Sequence, residues 1–311
     1  MTRIDIGITT FKRPCMLEDT LRAVEKLYQL DEWRIRVEVA DNDSSDGEGL
    51  ALVKRLSEEG YQFRLDGQIV SGRGFTYPRN ALIHRSLVEG DADLLIIIDD
   101  DQIPEPAYLL ELVAMWQSTF ADIVAPVVVP IFEGRPAPWI TSSRLYERES
   151  KAQGIVAQLT GDGGILIGRS AANLLPPPWY DHDLALTGGA DKDVFLRLRG
   201  AGATFARAPL ARIGERYPAS RLTRRWALQR AYRLGNCEVL IMRKSKSRLT
   251  LAIKEGPKIA GALVLCSLGA IVYPAFPGFG MRMAHKFARA IGKITAFAGH
   301  AYEEYAVTHG A

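Results

Sequence analysis

The chain has 311 residues, 47% hydrophobic and 24% charged, a balance that excludes wholesale disorder and leaves room for one large α/β domain or two smaller ones. Cys15, Cys237 and Cys266 are too few and too scattered for a disulfide framework or a zinc site, and the opening MTRIDIGITTF lacks the apolar run of a secretory leader, so a reducing intracellular setting is expected. The net charge of +3 conceals a polarity: residues 1–220 hold 24 Lys/Arg against 32 Asp/Glu (net −8), and residues 221–311 hold 15 against 4 (net +11).

Residues 4–8 form a short β-branched run ending at Thr9-Thr10, and Leu17, Leu21, Val24 and Leu27 then recur at helical spacing over 16–28. Residues 34–40 alternate with period two and read as a second strand, closed by the turn-rich DNDSSDGEG, in which 43–47 is a turn. A helix over 50–57, a third strand with its exit loop over 61–70 and a helix over 80–88 follow. Residues 94–98, LLIII, have the continuous apolarity of a strand covered on both faces. Strands alternating with helices imply a parallel sheet, whose ligands gather at the strands' carboxyl ends. TTFKRP, ADNDSSDG and IDDDQIP all fall there.

Beyond residue 104 the pattern is less regular. Residues 123–130 read as a strand, 135–151 as a polar excursion, 163–168 as a strand opened by glycines, and 194–199 as the start of a helix behind LTGGADKD. From Arg221 the chain is rich in Arg and Lys, interrupted by 23 uncharged residues, Ile259–Met281, in which Pro274 and Pro277 break the apolar run. That run is short of the roughly 20 apolar residues of a full span. It suits an interfacial or re-entrant element with basic flanks for anionic headgroups, the alternative being a helical hairpin packed on the catalytic part. Residues 300–311 are expected to be a loose tail. The basic tail lacks a pattern of stacking aromatics, so nucleic acid is not the expected partner.

Asp99, Asp100 and Asp101 repel one another if left unpaired, and a hard divalent cation, Mg²⁺ or Mn²⁺, relieves this while keeping phosphate oxygens as further ligands. In an extended segment Asp99 and Asp101 point to one side and Asp100 to the other. Asp41 is a candidate acceptor of hydrogen bonds from a base or ribose, the alternative being that its cluster is just a turn. Asp191 and Asp193, near a helix start, are candidates both for first-turn acids and for a base acting on an acceptor hydroxyl. His84, His182 and His285 are isolated and read as structural or surface histidines, and Cys266 as a small hydrophobe.

ITTFKRP, VADNDSSDG, PRNALIHRS, LLIIIDDDQIP and GGADKDVFLRL, in that order over residues 4–217, resemble the family 2 glycosyltransferases. The opening DIGITTFKRP and the basic region after ERYPASR resemble the branch that builds bacterial exopolysaccharide on a lipid carrier. The resemblance implies a GT-A fold, with a Rossmann-like, mostly parallel sheet flanked by helices and a C-terminal basic and apolar helical extension. It divides the chain into a catalytic domain over 1–220, with a nucleotide-binding half to about 103 and an acceptor half over 104–220, and a membrane-associating region over 221–311. Thr9, Phe11, Arg13 and Asp41, with Arg79 and Asn80 on the far side, would form the nucleotide-sugar pocket together with Asp99 and Asp100. Asp101 would hold the metal, with Asp99 or Glu215 as further ligands. Gly163 and Gly164 would border the donor or acceptor sugar, and Asp191, with Asp193 as rival, would be the base. The implied activity is inverting transfer from a UDP- or GDP-sugar to a glycan or lipid-linked acceptor, at an anionic membrane surface on the cytoplasmic side. A sugar-nucleotide nucleotidyltransferase would want a glycine-rich phosphate loop after the first strand, which TTFKRP lacks. A non-catalytic membrane scaffold would have no use for the retained acidic clusters.

Overall fold

The structure, a computed structural model, describes residues 1–42, 45–147, 152–159, 161, 163–272 and 275–303. Asp43 and Ser44 of the expected turn, 148–151 of the polar excursion, Tyr273 and Pro274 of the apolar segment and 304–311 of the expected tail lie outside the described residues.

The first part alternates as its periodicity requires: β1 (Thr2–Thr10), α1 (Pro14–Val24), β2 (Trp33–Asp41), α2 (Glu48–Glu58), β3 (Arg64–Ile69), α3 (Thr76–Ile83) and β4 (Leu94–Asp99). Pro14 opens α1 at the helix start, where a missing N–H removes no hydrogen bond. The helix expected over 80–88 begins earlier, at Thr76, and ends in a π-helical turn over His84–Val88. Then come β5 (Gln102–Pro104), α4 (Tyr108–Thr119), β6 (Ile123–Phe132), α5 (Pro138–Ser143), β7 (Gly154–Val156), β8 (Ile165–Gly168), α6 (Ala190–Gly200) and β9 (Phe205–Tyr217). Three helices follow: α7 (Arg224–Arg243), α8 (Arg248–Val272) and α9 (Pro277–Phe297).

The strands form one sheet in the order β3-β2-β1-β4-β8-β6-β9-β5, with β7 paired to β9. β1 pairs in parallel with β2 and β4, and β2 with β3, whereas β8 runs antiparallel to both β4 and β6. The first half of the chain thus forms the regular parallel part of the sheet, and the mixing of directions lies in the second half. Strand alternation sorts the core. Ile4, Ile6, Ile8, Leu94, Ile96 and Ile98 pack with Leu17 and Leu21 of α1, Leu56 of α2 and Leu112 of α4. Leu95 and Ile97 point to the other face, with Leu87, Val194 and Phe195. A Cβ at Gly7 would lie 2.8 Å from the Leu82 side chain, so this strand glycine is what lets α3 settle on the sheet.

The C-terminal helices are joined by close backbone contact. A Cβ at Gly235 or at Gly292 would lie 1.9 Å from the carbonyl oxygen of Arg289 or Tyr232, so α7 and α9 meet through small residues. Asn236, fully buried between them, donates to the carbonyls of Gly292 and His300. α7 also meets α6, where Lys192 pairs with Glu238 at 2.7 Å.

Candidate active site

Strand register builds the acidic ledge. Thr9 stands opposite Asp99 across β1 and β4, and Thr10 opposite Asp41 across β1 and β2, so three strand ends come level. Thr9 Oγ1 donates to Asp99 at 2.9 Å and Thr10 Oγ1 to Asp100 at 2.9 Å. Asp99 closes β4, but Asp100 and Asp101 turn toward β5, and Thr20 Oγ1 clamps that turn by donating to the carbonyls of Asp100 (2.8 Å) and Gln102 (3.0 Å).

That turn overturns the expected alternation of the aspartates. One Arg13 nitrogen lies 3.1 Å from Asp100 and 3.7 Å from Asp101, so these neighbours converge. It also changes how the repulsion is relieved. Arg79 donates to Asp99 at 2.6 Å, Arg13 to Asp100, and Arg221 to Asp101 at 3.2 Å. The triplet is therefore fully paired by guanidiniums drawn from three separate parts of the chain. Arg79 is itself buried, its guanidinium lying over the rings of Phe75 and Tyr180.

Glu215, opposite Gln102 in the β5–β9 ladder, adds a fourth carboxylate close enough to act on Asp101. Burial, then Asp100, Glu215 and Asp99, pushes the Asp101 carboxyl up to about 7 against the opposing charge of Arg221. Burial likewise raises Asp100. Carboxylate oxygens at Asp99 and Asp101 are of the hard type that a divalent cation takes when phosphate oxygens complete its shell. Among the described residues no three His, Cys, Asp or Glu side chains are grouped closely enough to hold a metal by themselves.

The other expected residues fall around this ledge. Asp41 is 1% exposed, and its carboxylate accepts from the Leu50 N–H at 3.3 Å near the start of α2. Phe11 is half-buried at the end of β1, its N–H 3.5 Å from Asp100. The Asn80 amide exchanges two 2.8 Å hydrogen bonds with the Tyr180 backbone, pinning that loop to α3. Gly163 lies under the turn, where a Cβ would sit 2.4 Å from the Gln102 amide that accepts from Asp99 N. Gly164 has φ +67°, and its carbonyl accepts from Tyr108 Oη.

Asp191 and Asp193 both lie in the first turn of α6 but differ in surroundings. Asp193 is buried and holds Arg197 at 2.8 Å and Lys244 at 3.0 Å. Asp191 is half-buried and makes no hydrogen bond or ion pair among the described residues. The buried Tyr180 hydroxyl, pushed up to about 12 by burial, also feels Asp191 and Asp99 as raising charges, so the open carboxylate and the acidic ledge lie within electrostatic reach of one phenol.

Several site residues carried no signal in the sequence. Asn42 shapes the loop after β3, donating to the carbonyls of Val70 and Gly72 and accepting from Gly74 N, with Gly72 and Gly74 at φ +103° and +119°. Only the glycine spacing in SGRG hinted at it. Arg221 and Lys244 lie far along the chain from the carboxylates they hold, and nothing local marks them.

The profile of glycosyl transferase family 2 matches residues 5–173. The chain is 30% identical to the succinoglycan biosynthesis protein ExoM of Rhizobium meliloti (strain 1021), over 85% of this chain and 84% of that one. Its fold is similar to that of the mannosyltransferase PcManGT from Pyrobaculum calidifontis, solved in complex with GDP-Man and Mn²⁺, at a TM-score of 0.61 and 18% identity, covering 94% and 86% of the two chains. It is also similar to GalNAc-T7, solved with UDP, GalNAc and Mn²⁺, at a TM-score of 0.52 and 16% identity, covering 69% of this chain and 43% of that longer one. On the family match and the relative of nearly equal length, the chain belongs to glycosyl transferase family 2.

Proposed function

We propose that this glycosyltransferase moves a sugar from a UDP- or GDP-sugar, with inversion, to a hydroxyl of a lipid-linked glycan in exopolysaccharide synthesis, with residues 1–220 catalytic and 221–311 associating with the cytoplasmic face of the inner membrane. The observation that carries the chemistry is the contrast between the open Asp191 carboxylate and the doubly paired Asp193. The Asp193 oxygens are occupied by Arg197 and Lys244, whereas Asp191 presents its oxygens to an incoming hydroxyl.

In this reading Asp191 takes the acceptor O–H proton, the oxygen forms a bond to the anomeric carbon, and the bond from that carbon to the diphosphate breaks, its electrons leaving with the nucleoside diphosphate. Asp41 and the Asn42-shaped loop receive the nucleoside, and Thr9 and Arg79 orient Asp99 toward the ribose. The space beside Gly163 and Gly164 is taken by Gln102 and by Tyr108 and Ile213, so they do not border the sugar as expected. A divalent cation, Mg²⁺ or Mn²⁺, held by Asp101 with Asp99 or Glu215 beside it, would supply positive charge for the leaving diphosphate. The Mn²⁺ bound by two proteins of similar fold supports this.

Release of UDP or GDP from a panel of sugar nucleotides, with a bacterial lipid extract as acceptor, tests the assignment. Asp191→Asn should lower turnover by about 10²–10⁴, the range for loss of a general base, while binding of the matching nucleotide with Mn²⁺, read by thermal shift, persists. Near wild-type turnover in the Asn variant would remove Asp191 from the mechanism.

A further inference from the structure

α8 is apolar on two opposite faces, and among the described residues only one of them is covered. It lies along α9, burying Leu251, Ile259 and Cys266. On the opposite arc Leu249, Ile253 and Val264 are 71%, 69% and 66% exposed, with Ala260 exposed between them. At about 100° per residue these four positions fall within roughly 60° of one another, forming a continuous stripe along the helix. Beyond the end of α8, Phe276 and Phe279 add 64% and 43% exposed rings, and Arg282 stands over Phe279 at 5.8 Å.

The charges around the stripe are of one sign. Residues 243–293 hold ten Lys or Arg and a single acid, Glu255. That acid is buried and paired with Lys258 and Lys293, both at 2.8 Å, whereas Lys246, Arg248, Lys254 and Lys258 are exposed. Exposed apolar side chains bordered by cations, with no acid among them, match the acyl boundary and headgroups of an anionic bilayer. Among the described residues no helix is long and apolar enough to cross a membrane.

We infer that the uncovered face of α8, with Phe276 and Phe279, is a monotopic docking surface that lays this helix flat in an anionic lipid leaflet. One face of α8 thus packs as part of a helical hairpin with α9, and the other is the face assigned to lipid. An ion-pair chain continues from it: Glu255 to Lys293, Lys293 to Glu238 at 3.2 Å, and Glu238 to Lys192, the neighbour of Asp191. The lipid plane and the catalytic helix α6 are thereby held in one body. The docking rests on the membrane association proposed for residues 221–311, and delivery of the acceptor hydroxyl to Asp191 rests on the proposed chemistry.

Co-sedimentation of the full chain with vesicles, without donor or metal, tests the docking alone. The wild type should bind phosphatidylglycerol–phosphatidylcholine vesicles and release in high salt, and Leu249→Ser/Ile253→Ser/Val264→Ser should weaken binding by at least about tenfold with an unchanged circular dichroism spectrum. Lys254→Glu/Lys258→Glu should lose the preference for anionic lipid. Equal binding to pure phosphatidylcholine, vesicle binding by the triple-serine variant equal to that of the wild type, or a wild-type dimer that the triple variant converts to a monomer without affecting lipid binding would each overturn the inference. Loss of docking with nucleotide release intact would separate this failure from that of the proposed chemistry.

Discussion

Replacing Glu238 with Gln tests whether the C-terminal helices are fastened to the catalytic half by charge. Burial alone would push this carboxyl up, yet hydrogen bonds from Arg289 and Lys192, with the charges behind them, bring it down from 4.5 to about 2. Lys293 adds a third cation at 3.2 Å. A drop of roughly 2.5 units corresponds to about 3 kcal/mol at 1.36 kcal/mol per unit. Because the folded value is depressed, this stability is fully present above pH 4.5 and is lost as pH falls toward 2. Glu238→Gln should therefore destabilise by about 2–3 kcal/mol at neutral pH and lower the melting temperature by roughly 5 °C. The gap between variant and wild type should close between pH 4.5 and pH 2, over the interval in which the wild-type carboxylate itself is protonated. Urea melts at neutral pH and near pH 3 measure both. Equal melting of the two proteins at pH 7, or a gap that stays constant into acid, would refute the reasoning.

Asp193→Asn should behave unlike Asp191→Asn: removing the shared partner of Arg197 and Lys244 should destabilise by about 3 kcal/mol in chemical denaturation, with remaining activity tracking the folded fraction. Gly292→Ala places a Cβ 1.9 Å from the Tyr232 carbonyl oxygen and should destabilise by about 1–3 kcal/mol as α7 and α9 are forced apart, whereas the exposed Gly202→Ala control meets no atom within 4 Å and is limited only by its φ of +91°. His285, pushed down to about 4 chiefly by burial, should make the wild type lose stability as pH falls from 6.5 toward 4, and His285→Asn should flatten that part of the melting profile.

Local pattern sufficed for the parallel half of the fold. The period-two run over 34–40, the LLIII run and the helical spacing of Leu17, Leu21 and Val24 correspond to β2, β4 and α1, because each follows from one residue's relation to neighbours a few places away. The ordered acidic clusters likewise indicated the family, since strand ends are where a parallel sheet collects polar residues. Three things were decided only by tertiary structure. The aspartate triplet suggested an unpaired acidic ledge, but Arg13, Arg79 and Arg221 already neutralise it, a pairing no local spacing encodes. Asp191 and Asp193 are indistinguishable as first-turn acids, and Lys244, 51 positions from Asp193, separates their roles. The sequence of the basic and apolar C-terminal part could not show which side of α8 was covered. Helical periodicity places Leu249, Ile253 and Val264 on one stripe, but burial depends on whether another element occupies that side, and α9 packs against the opposite one.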